Sequence, residues 1–589
     1  MERHGSVLDV TQALAAALVV AAAGLLGAAP AAPAQSVDPA SLDSLEFRHL
    51  GPPGNRTSAV AGEPGDHRVM YIGAASGGVW KTSDGGANWR PVFDEERAQS
   101  IGALAVSRSA PNEVWAGTGE PHYIRLSTAH GNGVYRSTDA GETWTHVGLP
   151  RTGRIADIEV HPRDPDVVYV CAVGHGFEPQ PERGVYRTRD GGGTWERVLS
   201  VNDSTGCSDL ALNPEDPSEL YAGMWQLDID TWGLHSGGPG SGVYVTRDGG
   251  DHWRELAGGG LPAAADSVGK VAVALAPSDP DRVYALLQQH DPTLYRTSDG
   301  GRSWRLVNRD HDMAERGPYY TRMAVSSGDR NVLYFASVNF RMSRDGGETL
   351  ADDVGVPGGD FHDIWVDPTD ADRVMFAHDG GTTVTENRLE SFDYVVLPIA
   401  QLYQVRVDDR VPYWVYTNRQ DGPSYRGPSR SLQFGYPMGL WHSVGGCESG
   451  MATPDTVSDR WVWSGCYDSG LQRYDLETGH ARDVRVWPEA GYGVPPRDKR
   501  YRWNWNFPIE ISPHDNERVY VGSQHVHVTE NGGQSWRELG PDLTRDIEAH
   551  QGDSGELSTD NLNTFTASSL SSIQESPLEE GVIWAGSYD

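Results

Sequence analysis

Two histidines and a group of aspartates in the middle of the chain carry the side chains best suited to proton transfer or metal binding. The segments GGDFHDI (358–364) and AHDGG (377–381) flank the turn DPTDADR. A turn centred near Asp370 sets His362 opposite His378 and Phe361 opposite Asp379, with Asp360 and Asp363 beside them. Two imidazoles with carboxylates at hand can bind a metal or hold an acid/base pair. The same residues can instead close the top of a sheet as a hydrogen-bonded polar cluster. His362 and His378 are therefore the candidate metal ligands, although the tight H-x-x-x-H spacing is absent. Asp379, Asp421 and His362 are the candidate catalytic set.

A glycan site asks for aromatic platforms and for carboxylates. Trp225, Trp232, Tyr319, Tyr320, Trp503 and Trp505 lie in variable segments and are the candidate ligand-binding aromatics, each with core packing as the alternative. Glu120, Glu178, Asp228, Asp230 and Asp421 are further loop carboxylates. Glycoside hydrolysis needs two carboxyl groups about 5–10 Å apart.

These residues are positioned by a repeat. The octet TSDGGANW (82–89) recurs as STDAGETW (137–144), TRDGGGTW (188–195), TRDGGDHW (246–253), TSDGGRSW (297–304), SRDGGETL (343–350) and TENGGQSW (529–536). The first six start roughly 46 to 58 residues apart, a period of propellers or solenoids. Asp accepts from backbone N–H groups one or two residues on, the Gly pair permits positive φ, and Trp opens the next strand beneath the turn. An Asp repeated once per unit is spread around a ring and cannot converge on one substrate, so the octets read as hairpin clamps. Companion strings such as HPRDPDVVYV (161–170) and SPHDNERVYVG (512–522) supply a second turn, and eleven can be counted. Each unit then reads as four antiparallel strands, a propeller blade. Both turns lie on one face. The opposite face, with the segments named above, is the expected ligand face.

The octets are Asp-box (BNR) repeats. From about Leu45 onward the chain resembles secreted bacterial proteins grouped with sortilin N-terminal domains and xyloglucanase-type glycoside hydrolases. GVYRSTDAGETW, ERGVYRTRDGGGTW and NWNFPIEISPHD carry the resemblance. It implies an all-β fold of tandem β-propellers: a first of about seven blades over 43–390 and an incomplete second over 391–589. It implies an extracellular glycan or peptide as partner, bound as in sortilins, or, as the alternative, hydrolysis of a polysaccharide through loop carboxylates. In the xyloglucanase-type enzymes one catalytic Asp precedes the GG of a first-blade strand. Here that strand reads YIGAASGGVWKT, and Ala75 stands at the position. Their second catalytic Asp falls near Asp379, one position off. The Arg-Ile-Pro motif of sialidases is absent, GRIAD (153–157) being a partial echo.

Residues 1–34 read as a signal peptide, with an apolar run from Ala13 to Ala29, Ala32-Pro33-Ala34 for cleavage and Gln35 as the mature N-terminus. After cleavage no membrane span is expected, and the protein is placed outside the cytoplasm: secreted, periplasmic or on the cell surface of a bacterium. A net charge of −34 disfavours nucleic acid as a partner. No cofactor motif occurs; the GG pairs belong to hairpins, not to a loop feeding a helix. Of the four cysteines, Cys447 and Cys466 flank the turn TPDTVSD and face each other in a hairpin, which predicts a disulfide. Cys171 and Cys207 sit in successive units, where pairing and two buried thiols are both open.

Overall fold

The computed structural model describes residues 38–42, 48–52, 54, 56–122, 128–262, 268–432, 438–562 and 564–589. The expected signal peptide lies outside the described residues. The chain divides into two compact units, Met1–His49 and Leu50–Asp589. In the first, Pro39–Leu42 forms a 3-10 turn. Among its described residues the second is an all-β array of eleven antiparallel sheets, numbered here 1 to 11 in chain order. Eight have four strands in sequential order, as expected. Sheet 4 carries an added hairpin, sheet 6 has three strands and sheet 11 has two. No helix among the described residues is long and apolar enough to cross a membrane.

Except in three-stranded sheet 6, where the octet follows the last strand, the octets form the hairpins that join third and fourth strands, but their bonding differs from the simple Asx turn. In the copy at 137–144, Asp139 Oδ1 accepts from the backbone of Thr143, four residues on (2.9 Å), and Oδ2 from the Thr143 hydroxyl (2.7 Å). Ser137 Oγ donates to Asp139 and accepts from Gly141 N–H at 2.7 Å. The same pattern holds from Thr82 to Thr529. The Trp packs outward to the preceding sheet: Trp195 Nε1 donates to Val147 O at 2.7 Å, and Trp536 to Val484 O at 2.8 Å. An eighth box, TENRLESF (385–392), went unrecognised because Arg388 and Leu389 take the left-handed φ (60° and 68°) that the Gly pair takes elsewhere.

Five of the boxes are also latches. The carbonyl of the fourth residue of each receives a side chain from the sheet before it. Arg136 donates to Gly191 O (2.9 Å), Arg187 to Gly249, Arg247 to Gly300 and Arg296 to Gly346 (2.7 Å), and the Tyr71 hydroxyl donates to Ala140 O at 2.8 Å. Arg136, Arg187 and Arg296, at the Arg position of the GVYRT-type strands, and Arg247, within its own box, therefore tie neighbouring sheets together across the exposed face.

The first strands of sheets 1 to 7 pack in succession, and that of sheet 7 (Phe361–Val366) packs against that of sheet 1 (Thr57–Gly62), so these seven sheets close a ring. The first strands of sheets 8 to 11 pack in succession as an arc. Five first strands of the ring carry a bulge near their start, at Ser58, Gly102, Ala156, Ser208 and His362. A bulge adds one residue and re-aims its side chain. All five bulge residues line one small cavity on the ring axis. Below it, Arg322 is held by Asp209 at 2.5 Å, Asp363 at 3.0 Å and Asp157 at 3.6 Å.

Both disulfides are formed. Cys171–Cys207 joins the second strand of sheet 3 to the first of sheet 4, with Cα atoms 5.0 Å apart, and Cys447–Cys466 closes the end of sheet 9 at 4.9 Å. Disulfides belong to oxidising compartments.

Candidate functional site

The bulge at His362 changes the expected register. Phe361, not His362, pairs with His378, and Asp363 pairs with Ala377. His378 turns away: its Nδ1 accepts from Gly380 N–H (3.1 Å) and its Nε2 lies 3.2 Å from Thr383 Oγ1. The two histidines expected to share a metal therefore face different surroundings. His362 meets Asp379 instead, Nε2 to Oδ1 at 2.5 Å.

Asp379 sits at the end of the second strand of sheet 7 and is the centre of a buried network. Arg56, just ahead of sheet 1, donates through Nε to Asp379 Oδ1 (2.8 Å). Arg56 Nη2 donates to the Tyr319 hydroxyl and pairs with Glu120, both at 2.5 Å. The Tyr319 hydroxyl donates to Asp379 Oδ2 at 3.2 Å. Burial alone would depress the Arg56 pKa, but Asp379 and Glu120 hold it well above its usual value. Burial, then Arg56, hold His362 well below the usual histidine range, so it is neutral. Asp379 thus receives three donors.

Two further carboxyl groups converge on it. Asp360 precedes the first strand of sheet 7, and Asp421 lies in the turn between Trp414–Arg419 and Ser424–Pro428 of sheet 8. Oxygens of Asp360, Asp379 and Asp421 all lie within 4.8 Å of one another. Both flanking aspartates adopt left-handed backbone, φ 57° and 56°, which non-glycine residues rarely do outside constrained sites. Desolvation first and Asp379 second push Asp360 up to about 7, and the same two causes push Asp421 to about 6 although Asp421 as a residue is exposed. Tyr320 donates to Asp360. Gln420 donates to Asp421 Oδ1 at 2.8 Å and to Glu448.

Chemically, the cluster offers a carboxylate held by donors beside carboxyls that keep a proton near neutrality. Such a divergence separates acid from base roles. The three oxygen donors would also suit a hard divalent cation.

The expected aromatics divide. Tyr319 and Tyr320 belong to the cluster through their hydroxyls, but both rings are fully buried and offer no face to a ligand. Trp225 is fully buried in the core with its N–H on Ser236 (2.9 Å), and Trp503 is packed among core residues around Phe507. Burial of these large rings offset their expected place in a binding surface. Trp232 stacks on His550 at 3.7 Å; Trp505 stacks on Tyr467 at 5.3 Å but is itself buried, like Trp503, and leaves only the neighbouring Tyr492 exposed. Of the other loop carboxylates, Glu120 joins the cluster, Glu178 is exposed and Asp230 pairs with His235 at 3.2 Å. The loop between sheets 10 and 11 reaches the ring as well: Arg316 binds Asp560 at 2.9 and 3.0 Å, and Gly555 N–H donates to Leu234 O at 2.8 Å. Sequence reading overlooked Arg56, whose only signal is a cation next to the apolar strand TSAVAG.

The chain matches the family described as Sortilin, neurotensin receptor 3 (Sortilin-Vps10) over residues 77–221 and 132–260. It is 26% identical over 214 residues to a xyloglucanase of Paenibacillus sp, covering 33% of this chain and 20% of that one. It is 24% identical over 323 residues to a probable oligoxyloglucan-reducing end-specific xyloglucanase of Neosartorya fischeri, covering 46% and 37%. The chain thus spans well under half the length of these curated relatives. Among solved structures, an ancestral GH74 enzyme aligns with a TM-score of 0.56 at 16% identity over 91% of this chain and 74% of that one. The GH74 xyloglucanase from Xanthomonas campestris aligns with a TM-score of 0.51 at 14% identity over 84% and 81%. With the boxes, these likenesses support an Asp-box β-propeller of the xyloglucanase-like group.

Proposed function

We propose that the chain binds an extracellular glycan where sheets 1 and 7 meet sheet 8 and hydrolyses a glycosidic bond there. One observation carries this reading: three carboxyl groups within 4.8 Å of one another, one of them on an exposed residue, at the meeting of the ring and the arc. Asp421, protonated up to about pH 6, donates to the leaving oxygen. As the glycosidic bond breaks, the Asp379 carboxylate, fixed by Arg56, Tyr319 and His362, bonds to the anomeric carbon; water then gives its oxygen to that carbon and its proton to Asp421, releasing Asp379. The exposed Tyr492, with Tyr467 edge-on to it at 4.9 Å, provides the sugar platform. The frame is a first propeller over 43–390 and a second propeller unit over 391–589, secreted after cleavage of residues 1–34.

The test is reducing-end release by the chain from Gln35 on a broad polysaccharide panel, with Asp379→Asn and Asp421→Asn beside it. Release that both variants lose supports the reading; release that both retain removes these residues from the chemistry.

A second reading has its own support. Ala75, buried, donates its N–H to Arg56 O at 3.1 Å, so the position where the xyloglucanase-type enzymes carry an Asp lies beside the cluster without a carboxyl group. This favours sortilin-like binding of a glycan or peptide without turnover. Binding of a glycan to the wild-type chain with no release of reducing ends would select it.

A further inference from the structure

The axial cavity just beneath the carboxylate cluster is lined by polar groups that lack partners. His122 is only 5% exposed, and neither of its ring nitrogens has a hydrogen-bond partner among the described residues. His362 is 1% exposed, and its Nδ1 is equally without one. The two rings lie 4.4 Å apart between centroids. The buried Lys270 Nζ donates to the Tyr319 carbonyl oxygen at 3.2 Å, and an amino group has further donors to give.

The rest of the lining is settled. The hydroxyls of Ser58, Ser208 and Thr321 donate to Ile101 O (2.5 Å), Val271 O (2.6 Å) and Gly317 O (2.6 Å). The proton of His362 can also be placed. The Tyr319 hydroxyl spends its own proton on Asp379, so Nε2 carries the imidazole hydrogen towards Asp379 and Nδ1 is a bare acceptor facing the cavity. Burial, then the charges of neighbouring groups, hold His122 well below the usual range, leaving a neutral ring with one donor and one acceptor.

Buried polar atoms without partners are expensive, and proteins satisfy them with ordered water. The cavity measures about 20 Å³, enough for one water molecule, which needs two to four polar partners. Donors on Lys270 and His122 and acceptors on His122 and His362 supply them.

We propose that His122 and Lys270 hold a single water molecule in this cavity, and that this water donates to Nδ1 of His362 and so locks the Nε2–H tautomer that faces Asp379. His122 and Lys270 are then positioning residues that act on the carboxylate cluster through His362. Their effect on turnover rests on the reading of that cluster as an acid–base site; the water and the tautomer do not.

The charged and titratable groups around the relay are Arg56, Glu120, Asp360, Asp379 and Asp421 above, with Lys270, Arg322 and Asp363 beside or below. Three readouts test the proposal. A crystal structure of the full chain that resolves ordered water is expected to show one water within hydrogen-bond distance of His362 Nδ1, His122 and Lys270 Nζ. An empty cavity overturns the proposal. Nitrogen-15 NMR of histidine-labelled protein, assigned with His362→Gln, is expected to show His362 as the Nε2–H tautomer; the Nδ1–H tautomer overturns it. His122→Phe is expected to mix the tautomers, lower turnover about tenfold and displace the pH profile, whereas His122→Asn, which keeps a donor and an acceptor, restores both. Should His122→Phe not fold, Lys270→Met makes the same comparison from the other side of the cavity. An unchanged His362 spectrum in a folded His122→Phe or Lys270→Met variant counts against the proposal. Failure to release sugar from any polymer sinks the hydrolase reading alone, because the crystal and NMR readouts need no substrate.

Discussion

Aspartates on the two faces of the molecule shift in opposite directions. On the box face each Asp has its own hairpin. Hydrogen bonds from Thr143 hold Asp139 down at about 2, and those from His252 hold Asp248 at about 2. On the opposite face, desolvation and the charge of Asp379 hold Asp360 up at about 7 and Asp421 at about 6. A carboxylate among donors keeps its charge, and carboxylates gathered together give it up. Residues that recur once per sheet stay apart and clamp the fold. Residues that occur once meet others from distant sheets.

The sharpest way to break this contrast is Arg56→Met. It leaves Asp379 and Glu120 buried without their cation, and is expected to cost about 3–5 kcal/mol, read as a lower urea midpoint. A midpoint unchanged within error would mean the cluster does not depend on its cation. Next is Asp421→Asn, expected to reduce sugar release about a hundredfold or more while the thermal midpoint hardly moves. The wild-type profile should fall as pH rises through about 6, where Asp421 loses its proton, and the variant should lack that limb.

On the box face the effects are smaller. Arg296→Ala removes the latch to Gly346 and the link to Glu348, and should cost about 1–2 kcal/mol without altering ligand binding. Asp139→Ala should cost about 1 kcal/mol or less. Because the folded pKa of Asp139 lies below its unfolded value, its contribution is present above pH about 4 and fades as pH falls towards 2. Acid titration of the unfolding midpoint in wild type and variant checks this. A box variant that abolished ligand binding would erase the distinction between the faces.

Much of the frame was legible in the chain. Octet spacing, the Asp/Pro turns and alternating strands announced a sheet array, because hairpin chemistry is local. The Cys447–Cys466 pair followed from its hairpin. The eighth box was hidden because Arg388 and Leu389 took a backbone conformation that glycine usually signals. Trp225 and Trp503 were indistinguishable from surface aromatics, since burial depends on neighbours far along the chain.

His362 shows where local reading stops. Pairing by turn centre gave it His378 as a partner, and one bulge residue sent it to the axis and to Asp379 instead. Asp379 and Arg56 lie 323 residues apart, and Asp421 reaches them from a different sheet. By itself the sequence determined the blades, their turns and the face on which unique residues would gather, since each depends on contacts within about fifty residues. Only the tertiary structure decided which carboxylates share a site, which histidine serves them and which nitrogens are left facing an axial cavity. Those outcomes depend on ring closure, which brings the first and seventh sheets together at no cost visible in either local sequence.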